Sequence, residues 1–385
     1  MNTLKLYDDG HLFEFDAEVI SCENKNGDYL TVLNQTAFFP EGGGQYGDTG
    51  TINGVEIFDT QIENGIIYHY SRSPVEIGNA HCVLDKEKRF RRMQNHSGEH
   101  IVSGIVHRLY GYDNVGFHLG DDDVTLDFNG ELTREQLIEV EKLANEAIYK
   151  NVTFCIDYPD SQTLEALDYR SKLDLKDDVR IVTVDGYDVC ACCAPHVSSS
   201  GEIGIIKVLD SERHRGGTRL HILCGLSALD DYNIKCNNLE EISVRLCSKR
   251  NEAAQVFSKF ADDAEQLKQE IASLRREITK LKSEEFEDTD ENIVIFEENL
   301  AMPDLRKLVL SAVKHTKGIC AGFSGNDSNG YTFAIASENI NLLEIQNDIK
   351  DSISGRGGGS KELIQGSCTA NKKEIENYFK NTAQI

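Results

Sequence analysis

The sequence predicts an α+β multidomain protein with an N-terminal small β-barrel, an α+β middle domain, a coiled-coil helical arm and a C-terminal α/β globular domain. Three observations predict this fold class. Short apolar stretches separated by turn residues come first, a heptad pattern follows much later, and strand-like and helix-like segments alternate after it. A chain of 385 residues is also longer than one hydrophobic core usually serves. We place the four domains at residues 1–85, 86–235, 236–290 and 291–385.

Composition and charge exclude several classes of protein. A hydrophobic content of 39% and a charged content of 27% are ordinary for a soluble protein. We find no secretory signal and no apolar run of about 18 residues, so we expect a cytoplasmic protein without membrane contact. The 11 cysteines should then be reduced thiols. A net charge of −25 argues against bulk binding of nucleic acid.

Residues 1–80 favour a small antiparallel barrel or sandwich. Short apolar stretches alternate with the turn signals Y-D-D-G-H, N-K-N-G-D, E-G-G-G-Q-Y-G-D-T-G and E-N-G. The strand candidates are residues 29–34, 51–59 and 66–70.

The middle of the chain, residues 86–235, is predicted to be α+β. Helices are predicted at 86–112 and at 133–150, the second opened by Thr133. Strands or β-rich segments are predicted at 113–128, 151–158, 179–190, 202–210 and 218–224.

The segment 238–285 predicts the helical arm. Apolar residues step by four and three without a break, at Ala253, Phe257, Phe260, Ala264, Leu267, Ile271, Leu274, Ile278 and Leu281. A seam of about four heptads needs a second helix for stability. That helix belongs either to a second protomer or to residues 236–252 folded back, and we favour a homodimer.

Residues 293–385 read as β-α-β-α with a glycine loop, G-R-G-G-G-S, at 355–360. Arg356 and Lys361 lie at this loop, and Lys372 and Lys373 follow it. We expect this domain to add local, salt-sensitive affinity for a phosphate backbone, because its cations are few against the net charge of the chain.

Two short motifs nearly a hundred residues apart predict a metal site. N-H-S-G-E-H at 95–100 places two histidines four residues apart, on one face of a helix. C-A-C-C-A-P-H-V at 190–197 adds cysteines and a third histidine. Three imidazoles and one thiolate suit tetrahedral Zn²⁺ better than Mg²⁺ or Ca²⁺. The set is His96, His100, Cys192 and His196, and Cys190 and Cys193 remain possible competitors.

Two short basic runs flank these motifs. They are K-E-K-R-F-R-R at 86–92 and R-H-R-G-G-T-R at 213–219. A short charge run is usually a solvated face, but the position of these two favours contact with a phosphate backbone. Arg91, Arg92 and Arg215 are therefore candidate contacts for nucleic acid.

The motifs resemble a known family. F-P-E-G-G-G-Q-Y-G-D-T-G, R-R-M-Q-N-H-S-G-E-H and C-C-A-P-H-V-S-S-S-G-E-I-G resemble the editing part of alanyl-tRNA synthetase, and G-R-G-G-G-S-K-E-L-I-Q-G-S resembles its C-terminal globular domain. The resemblance covers nearly the whole chain, in the family's order. No aminoacylation domain precedes the barrel, so we expect a free-standing protein of the AlaX group, in its long form. Such proteins hydrolyse mischarged tRNA(Ala) in trans.

The resemblance implies specific site residues. The metal would be one Zn²⁺ per chain, held by His96, His100, Cys192 and His196. The tRNA 3′ end would be bound by Gly42, Gly43, Gly44, Gln45 and Arg219. Two departures from the family's pattern concern the pocket rather than the ligands. The family's C-G-G-T-H is here Cys192-Cys193-Ala194-Pro195-His196, and Thr218 stands where the family often has arginine.

The residues themselves indicate an ester hydrolysis site. Backbone N–H groups of a glycine turn approach a ribose or phosphate closely, because no Cβ intrudes. The strand around Val115, Gly116, Phe117 and His118 is a candidate wall for the amino-acid side chain, although His118 is more simply explained as half-buried. Four protein ligands suggest a metal that organises the pocket, and ligand exchange with water would make it directly catalytic.

A pocket for alanine admits glycine and excludes serine poorly, so we expect Ser-tRNA(Ala) as the main substrate and Gly-tRNA(Ala) as the second. No charging of tRNA is expected.

Two alternatives to the editing function remain. H-S-G-E-H also fits the H-x-x-E-H metalloprotease motif, with Glu99 as general base, whereas Glu99 is an exposed helix residue in the editing interpretation. A non-catalytic, zinc-containing tRNA-binding protein is the other alternative.

Overall fold

The computed structural model describes residues 3–120, 123–171 and 179–381. The chain divides into two compact units, Met1–Glu241 and Ile242–Ile385. Within the described ranges, no helix is both long and apolar enough to cross a membrane. The predicted α+β multidomain class with an N-terminal β-barrel is confirmed, and the barrel has six strands.

The first unit begins with a closed barrel, in which six strands pair in the order β2-β3-β7-β6-β5-β8. Its strands, with the short parallel pair β1 and β4, are β1 (Leu4–Lys5), β2 (Glu14–Lys25), β3 (Asp28–Leu33), β4 (Gln35–Thr36), β5 (Gly50–Ile52), β6 (Val55–Glu63), β7 (Ile66–Ser71) and β8 (Gly78–Leu84). Phe15, Leu33 and Phe38 fill the barrel core.

The single strand predicted at 51–59 is wrong. Asn53 and Gly54 have positive φ angles of 49° and 78°, and they form a tight turn between β5 and β6. Asn-Gly favours such hairpin turns because both residues tolerate positive φ.

The middle of the first unit has a four-stranded sheet in the order β14-β15-β10-β9 and a three-stranded sheet, β11-β12-β13. Its elements are α1 (Lys86–Tyr110), β9 (Asn114–Leu119), β10 (Val124–Phe128), α2 (Arg134–Lys150), β11 (Phe154–Asp157), α3 (Ser161–Ala166), β12 (Ile181–Val184), β13 (Asp188–Ala191), β14 (Ile206–His214) and β15 (Gly217–Cys224). Helix α4 (Gly225–Arg245) follows. A core that includes Ile101, Leu126 and Val140 joins α1, β10 and α2.

Both predicted helices of this part are confirmed. Helix α1 ends at Gly111, which has φ 68° and supplies the left-handed C-cap. Helix α2 starts with a capping box between Thr133 and Gln136. The segment 113–128 is two strands rather than one, and its residues 121–122 lie outside the described residues. The segment 179–190, predicted to be β-rich, contains β12 and most of β13.

The second unit contains a five-stranded sheet in the order β16-β17-β18-β20-β19. Its elements are α5 (Ala253–Glu284), β16 (Ile293–Glu297), α6 (Met302–Ala312), β17 (Cys320–Asn326), β18 (Gly330–Ala336), α7 (Leu342–Ser352), β19 (Gly355–Gly359), β20 (Leu363–Cys368) and α8 (Lys372–Asn381). The predicted glycine loop is wrong. Its residues form the edge strand β19, whose glycines allow close backbone approach to β20.

The heptad seam lies along α5. Seven of its side chains are between 50% and 59% exposed, namely Phe257, Phe260, Leu267, Ile271, Leu274, Ile278 and Leu281.

Candidate metal centre and cleft

The structure brings the four predicted ligands together. Helix α1 presents His96 and His100 on adjacent turns, and the loop after β13 presents Cys192 and His196. Their ligand atoms all lie within 4.8 Å of one another. Cys192 Sγ is 3.5 Å from His96 Nε2 and 3.3 Å from His196 Nε2. All three imidazoles are buried.

Each imidazole is oriented by a second group that contacts its Nδ1 atom. The pairs are His96 with Gln45 Oε1 at 2.9 Å, His100 with Asp188 Oδ2 at 2.8 Å, and His196 with Ser97 Oγ at 3.0 Å. The three Nε2 atoms are therefore left for the common centre. Outer groups of this kind usually fix the tautomer of histidines that bind a metal.

The centre has the chemistry of a metal site. His100 Nε2 is buried and makes no hydrogen bond to any described residue, which is costly unless another atom binds there. Burial lowers the pKa of His196 to about 3, so this imidazole is neutral at pH 7. Burial alone would raise the pKa of the Cys192 thiol, but His96 and His196 hold it well below its ordinary value. A thiolate and neutral imidazoles are the forms that bind metals.

The other two cysteines of the motif differ from Cys192. Cys190 Sγ lies near His100 and Asp188, but burial raises the pKa of its thiol to about 11. Cys193 lines the cleft beside the glycine turn. Its Sγ is 3.6 Å from the position that a Cβ of Gly43 would take.

A cleft of about 1070 Å³ opens onto the ligands. Three of the four ligands line it, together with Gly43, Val115 and Phe117 from the predicted substrate-binding segments. Gly116 faces elsewhere, because a Cβ there would lie 2.8 Å from Asp127 Oδ2. His118 is exposed rather than half-buried, and its ring contacts Tyr46 at a centroid distance of 5.8 Å.

The glycine turn is fitted against strand β9. Gly43 and Gly44 have φ angles of 60° and 84°. Gly44 O accepts a hydrogen bond from Leu119 N at 2.9 Å, and a Cβ on Gly44 would lie 2.5 Å from Phe117 O. Only glycine therefore fits here. The turn also carries Gln45, whose side chain holds His96.

Arg91, Arg92, Arg215 and Arg219, the predicted arginine contacts of the first unit, are not among the residues that line the cleft. Arg219 forms two hydrogen bonds to Asp127, at 2.7 and 2.8 Å, and is not among the residues that line the cleft. Arg91 pairs with Glu87 and Asp230, and Arg92 donates to Gly47 O at 2.7 Å. Arg215 sits in the turn between β14 and β15, Arg356 lies on β19, and Lys361 lies just before β20.

One residue that fixes the loop carrying Cys192 and His196 was not predicted from the sequence. Arg180 is 6% exposed and donates from Nη1 to Cys192 O at 2.8 Å and to Ala194 O at 2.9 Å. Its Nε donates to Asp8 Oδ1 at 2.7 Å. These contacts hold the loop that lacks the glycines of the resembled family. An isolated arginine in a strand-like segment gives no signal of this role.

The side chains that hold His100 in position were also not predicted from the sequence. Asp188 accepts from Arg170 Nε and Nη2, at 2.7 and 2.6 Å, besides contacting His100. Burial would raise the pKa of Asp188, but Arg170 and His100 lower it. Gly104 allows the close approach, since a Cβ there would lie 2.9 Å from Asp188 Cβ. The only sequence signal is that Asp188 lies two residues before the cysteine motif.

The expectation that Glu99 is exposed is wrong. The residue is only 4% exposed, and it lines the cleft. Its Oε1 accepts from Ser103 Oγ at 2.7 Å and from Asn114 Nδ2 at 2.6 Å. Helix α1 is buried along most of this stretch, so the face opposite the histidines is not solvent-exposed.

The comparisons agree with this site. Residues 179–221, which include two of the four ligands, match the family described as threonyl and alanyl tRNA synthetase second additional domain. This part of the candidate site thus lies in a segment that is similar to that domain.

More particularly, the chain is 28% identical to the alanyl-tRNA editing protein AlaX-L of Pyrococcus horikoshii, over 96% of this chain and 95% of the relative. It is also 28% identical to the alanine–tRNA ligases of Methanopyrus kandleri and Methanococcus maripaludis strain C7, over 94% of this chain. The chain spans 42% and 41% of the length of these ligases. The expected resemblance to the long AlaX form is confirmed.

Proposed function

We propose that this protein is a trans-editing hydrolase that deacylates mischarged tRNA(Ala), chiefly Ser-tRNA(Ala) and secondarily Gly-tRNA(Ala), without charging tRNA. The observation that carries the proposal is the convergence of His96, His100, Cys192 and His196 beside a glycine turn, next to a cleft that three of the four line. The similarity to AlaX-L along the chain supports the same activity.

The proposed cofactor is one Zn²⁺ per chain. The donor set of three imidazole nitrogens and one thiolate fits zinc. The buried Nε2 atom of His100, which makes no hydrogen bond to a described residue, is also consistent with a bound metal ion. When bound, the ion supplies a Lewis acid that organises the reacting end of the cleft. Gln45, Asp188 and Ser97 hold the imidazoles in position for it.

The walls of the cleft would position the ester. The glycine turn lets backbone N–H groups approach the terminal ribose without a Cβ in the way. Phe117 packs on His96 at a ring distance of 4.6 Å and is the candidate wall for the amino-acid side chain. Selection of serine over alanine requires a polar partner for the serine hydroxyl near this wall, because bulk alone discriminates weakly.

The proposed partner is the acylated tRNA. Arg91, Arg92, Arg215 and Arg219 in the first unit, with Arg356 and Lys361 in the second, are the cations proposed to contact its backbone. The exposed seam of α5 supports a proposed homodimer.

A deacylation assay with purified protein tests the proposal. Ser-tRNA(Ala) should lose its serine while Ala-tRNA(Ala) stays largely charged, and no ATP-dependent charging should occur. Cys192→Ala should lose both zinc and activity, because removing one of four ligands weakens binding severely. Cys155→Ala is the matched control, because Cys155 is exposed on β11.

The opposite results would decide against it. Equal hydrolysis of both esters would show that the cleft does not edit. Binding of tRNA without hydrolysis would favour the non-catalytic, zinc-containing protein.

A further inference from the structure

We propose that Glu99 binds the α-amino group of the aminoacyl ester, so that the cleft selects esters of free amino acids over esters that lack this cation. The inference rests on the proposed function. It concerns a buried carboxylate that neither the metal centre nor the glycine turn uses.

Glu99 occupies the right position. It precedes the ligand His100 in α1, and its Oε2 lies 3.8 Å from His100 Nε2, the atom that faces the metal centre. It lines the same cleft as the ligands although it is only 4% exposed. A group bound at the centre therefore lies next to this carboxylate.

The carboxylate is also fixed in orientation. Ser103 and Asn114 both donate to Oε1, and Asn114 Nδ2 lies 3.0 Å from Ser103 Oγ. Asn114 Oδ1 in turn accepts from Gly116 N at 3.1 Å, which ties the network to strand β9. Each carboxylate oxygen accepts about two hydrogen bonds, so an ammonium group adds to the contacts that Oε2 already makes.

The proposed substrate needs such a group. In an aminoacyl ester, the amino group is attached to the carbon next to the reacting carbonyl. A site that holds this carbonyl inside the cleft must also take the ammonium group at least partly out of water, which is unfavourable without an anion. A charge-assisted hydrogen bond to a fixed carboxylate offsets that cost.

The other described carboxylates of the cleft are less suitable. Both oxygens of Asp188 are engaged by Arg170, and one of them also contacts His100. The Asp113 side chain is 54% exposed and pairs with His107 at 2.8 Å. Asp168 is exposed. Asp188 and Glu99 are the buried members of this set, and Glu99 is the one that lies near His100 Nε2.

The test compares two nearly isosteric esters of tRNA(Ala). One carries serine and the other carries the serine analogue in which a hydroxyl replaces the α-amino group. Rates are measured at pH 6.5, where an α-amino group of pKa about 7.7–8.0 is mostly protonated. Each rate is divided by the spontaneous hydrolysis rate of the same ester, because the ammonium group itself activates the ester.

The wild-type protein should prefer the seryl ester on the order of 10- to 100-fold in kcat/KM. Glu99→Gln, which keeps the shape of the side chain, should reduce this preference to within about threefold, mainly by slowing the seryl ester. Its zinc content should equal that of wild type. Glu56→Gln, an exposed residue on β6, is the matched control and should keep the full preference.

Three results would overturn the inference. The first is a wild-type protein that hydrolyses both esters equally well, a measurement that needs no variant to fold. The second is an equal loss on both esters in Glu99→Gln, as expected for a general base. The third is a loss of zinc in that variant. If wild type hydrolyses neither ester, the proposed function itself fails, whereas equal hydrolysis of the two overturns this inference alone.

Discussion

At the scale of single residues, the groups that contact the Nδ1 atoms of the three histidines differ in charge, and this difference bears on how strongly each histidine would bind a metal. His96 contacts an amide oxygen and His196 a hydroxyl, but His100 contacts a carboxylate that is itself held by Arg170. A carboxylate increases the basicity of its imidazole more than a neutral group does. His100 should therefore be the ligand most sensitive to its partner.

The first prediction concerns this partner. Asp188→Asn should weaken zinc binding about 10- to 100-fold, because the amide carries no charge to support His100. Competition with a metal chelator measures the change in Kd. Asp113→Asn removes a similar but exposed Asp–His pair, outside the metal cluster, and should leave the Kd within about twofold of wild type. Unchanged zinc affinity in Asp188→Asn would show that the contact between Asp188 and His100 contributes packing alone and does not strengthen metal binding.

The second prediction concerns acid stability. His69 is fully buried in the barrel between Thr36 Oγ1 and Thr31 O, and burial lowers its pKa to about 4. The unfolded chain binds this proton near pH 6.5, so stability should fall as the pH drops from about 6.5 to 4. The loss attributable to this residue is about 3 kcal/mol at the lower pH.

Denaturant unfolding at several pH values measures this loss. His69→Gln keeps a hydrogen-bonding side chain without the titration, and its stability should change less over that pH range. Parallel curves for the variant and wild type would contradict the assignment to His69.

At the scale of elements, the seam of α5 differs from the apolar stripes of α1, α2 and α6. Those three helices bury their stripes, whereas the seven large side chains of this seam stay at least 50% exposed. A surface of this kind usually marks an interaction site. The strict spacing of four and three residues favours a second helix of the same kind.

The third prediction is that the seam supports a homodimer. Leu274→Glu, in the middle of the seam, should shift the protein toward monomer, because a charge at an apolar seam position loses packing and repels its copy. Sedimentation analysis over a range of concentrations measures this. Glu277→Gln on the same helix is the control, since Glu277 is exposed and outside the seam. A wild-type protein that stays monomeric at all concentrations would rule out the dimer.

Periodic elements were predictable from the sequence, and several turns were not. The capping box at Thr133 and the spacing in α1 depend on near neighbours in the chain, so the sequence displays them directly. The strand β19 was mistaken for a loop, because five residues with four glycines carry no pattern of alternation. These residues form a strand because they pair with β20, and this pairing cannot be recognised from residues 355–359 alone.

At the scale of the whole molecule, the cluster of three histidines and one cysteine was predictable because these residue types are rare in this pattern. Arg170, Arg180 and Asp188 were not, because charged residues are common and their roles depend on contacts between distant segments. Glu99 was misjudged for the same reason. An acidic helix residue is normally exposed, and only the strand that packs on α1 buries it.

The fourth prediction concerns the two compact units. Truncation after Glu284 should raise the concentration of tRNA needed for half-maximal rate while leaving the saturated rate mostly unchanged, because the ligands and the cleft lie entirely in the first unit. The effect should shrink at high salt, as expected for contacts with phosphates. An unaltered concentration dependence would mean that the second unit does not bind tRNA.

The pairing of α1 with the cysteine loop has a thermodynamic consequence for folding. His96 and Cys192 are 96 positions apart, so an ion that joins them closes a long loop of chain. Such a tie constrains the unfolded ensemble much as a cross-link does, and the constraint grows with the logarithm of the loop length. Chelation should therefore lower the free energy of unfolding of the fold that contains both motifs, and not only release the four side chains that hold the ion.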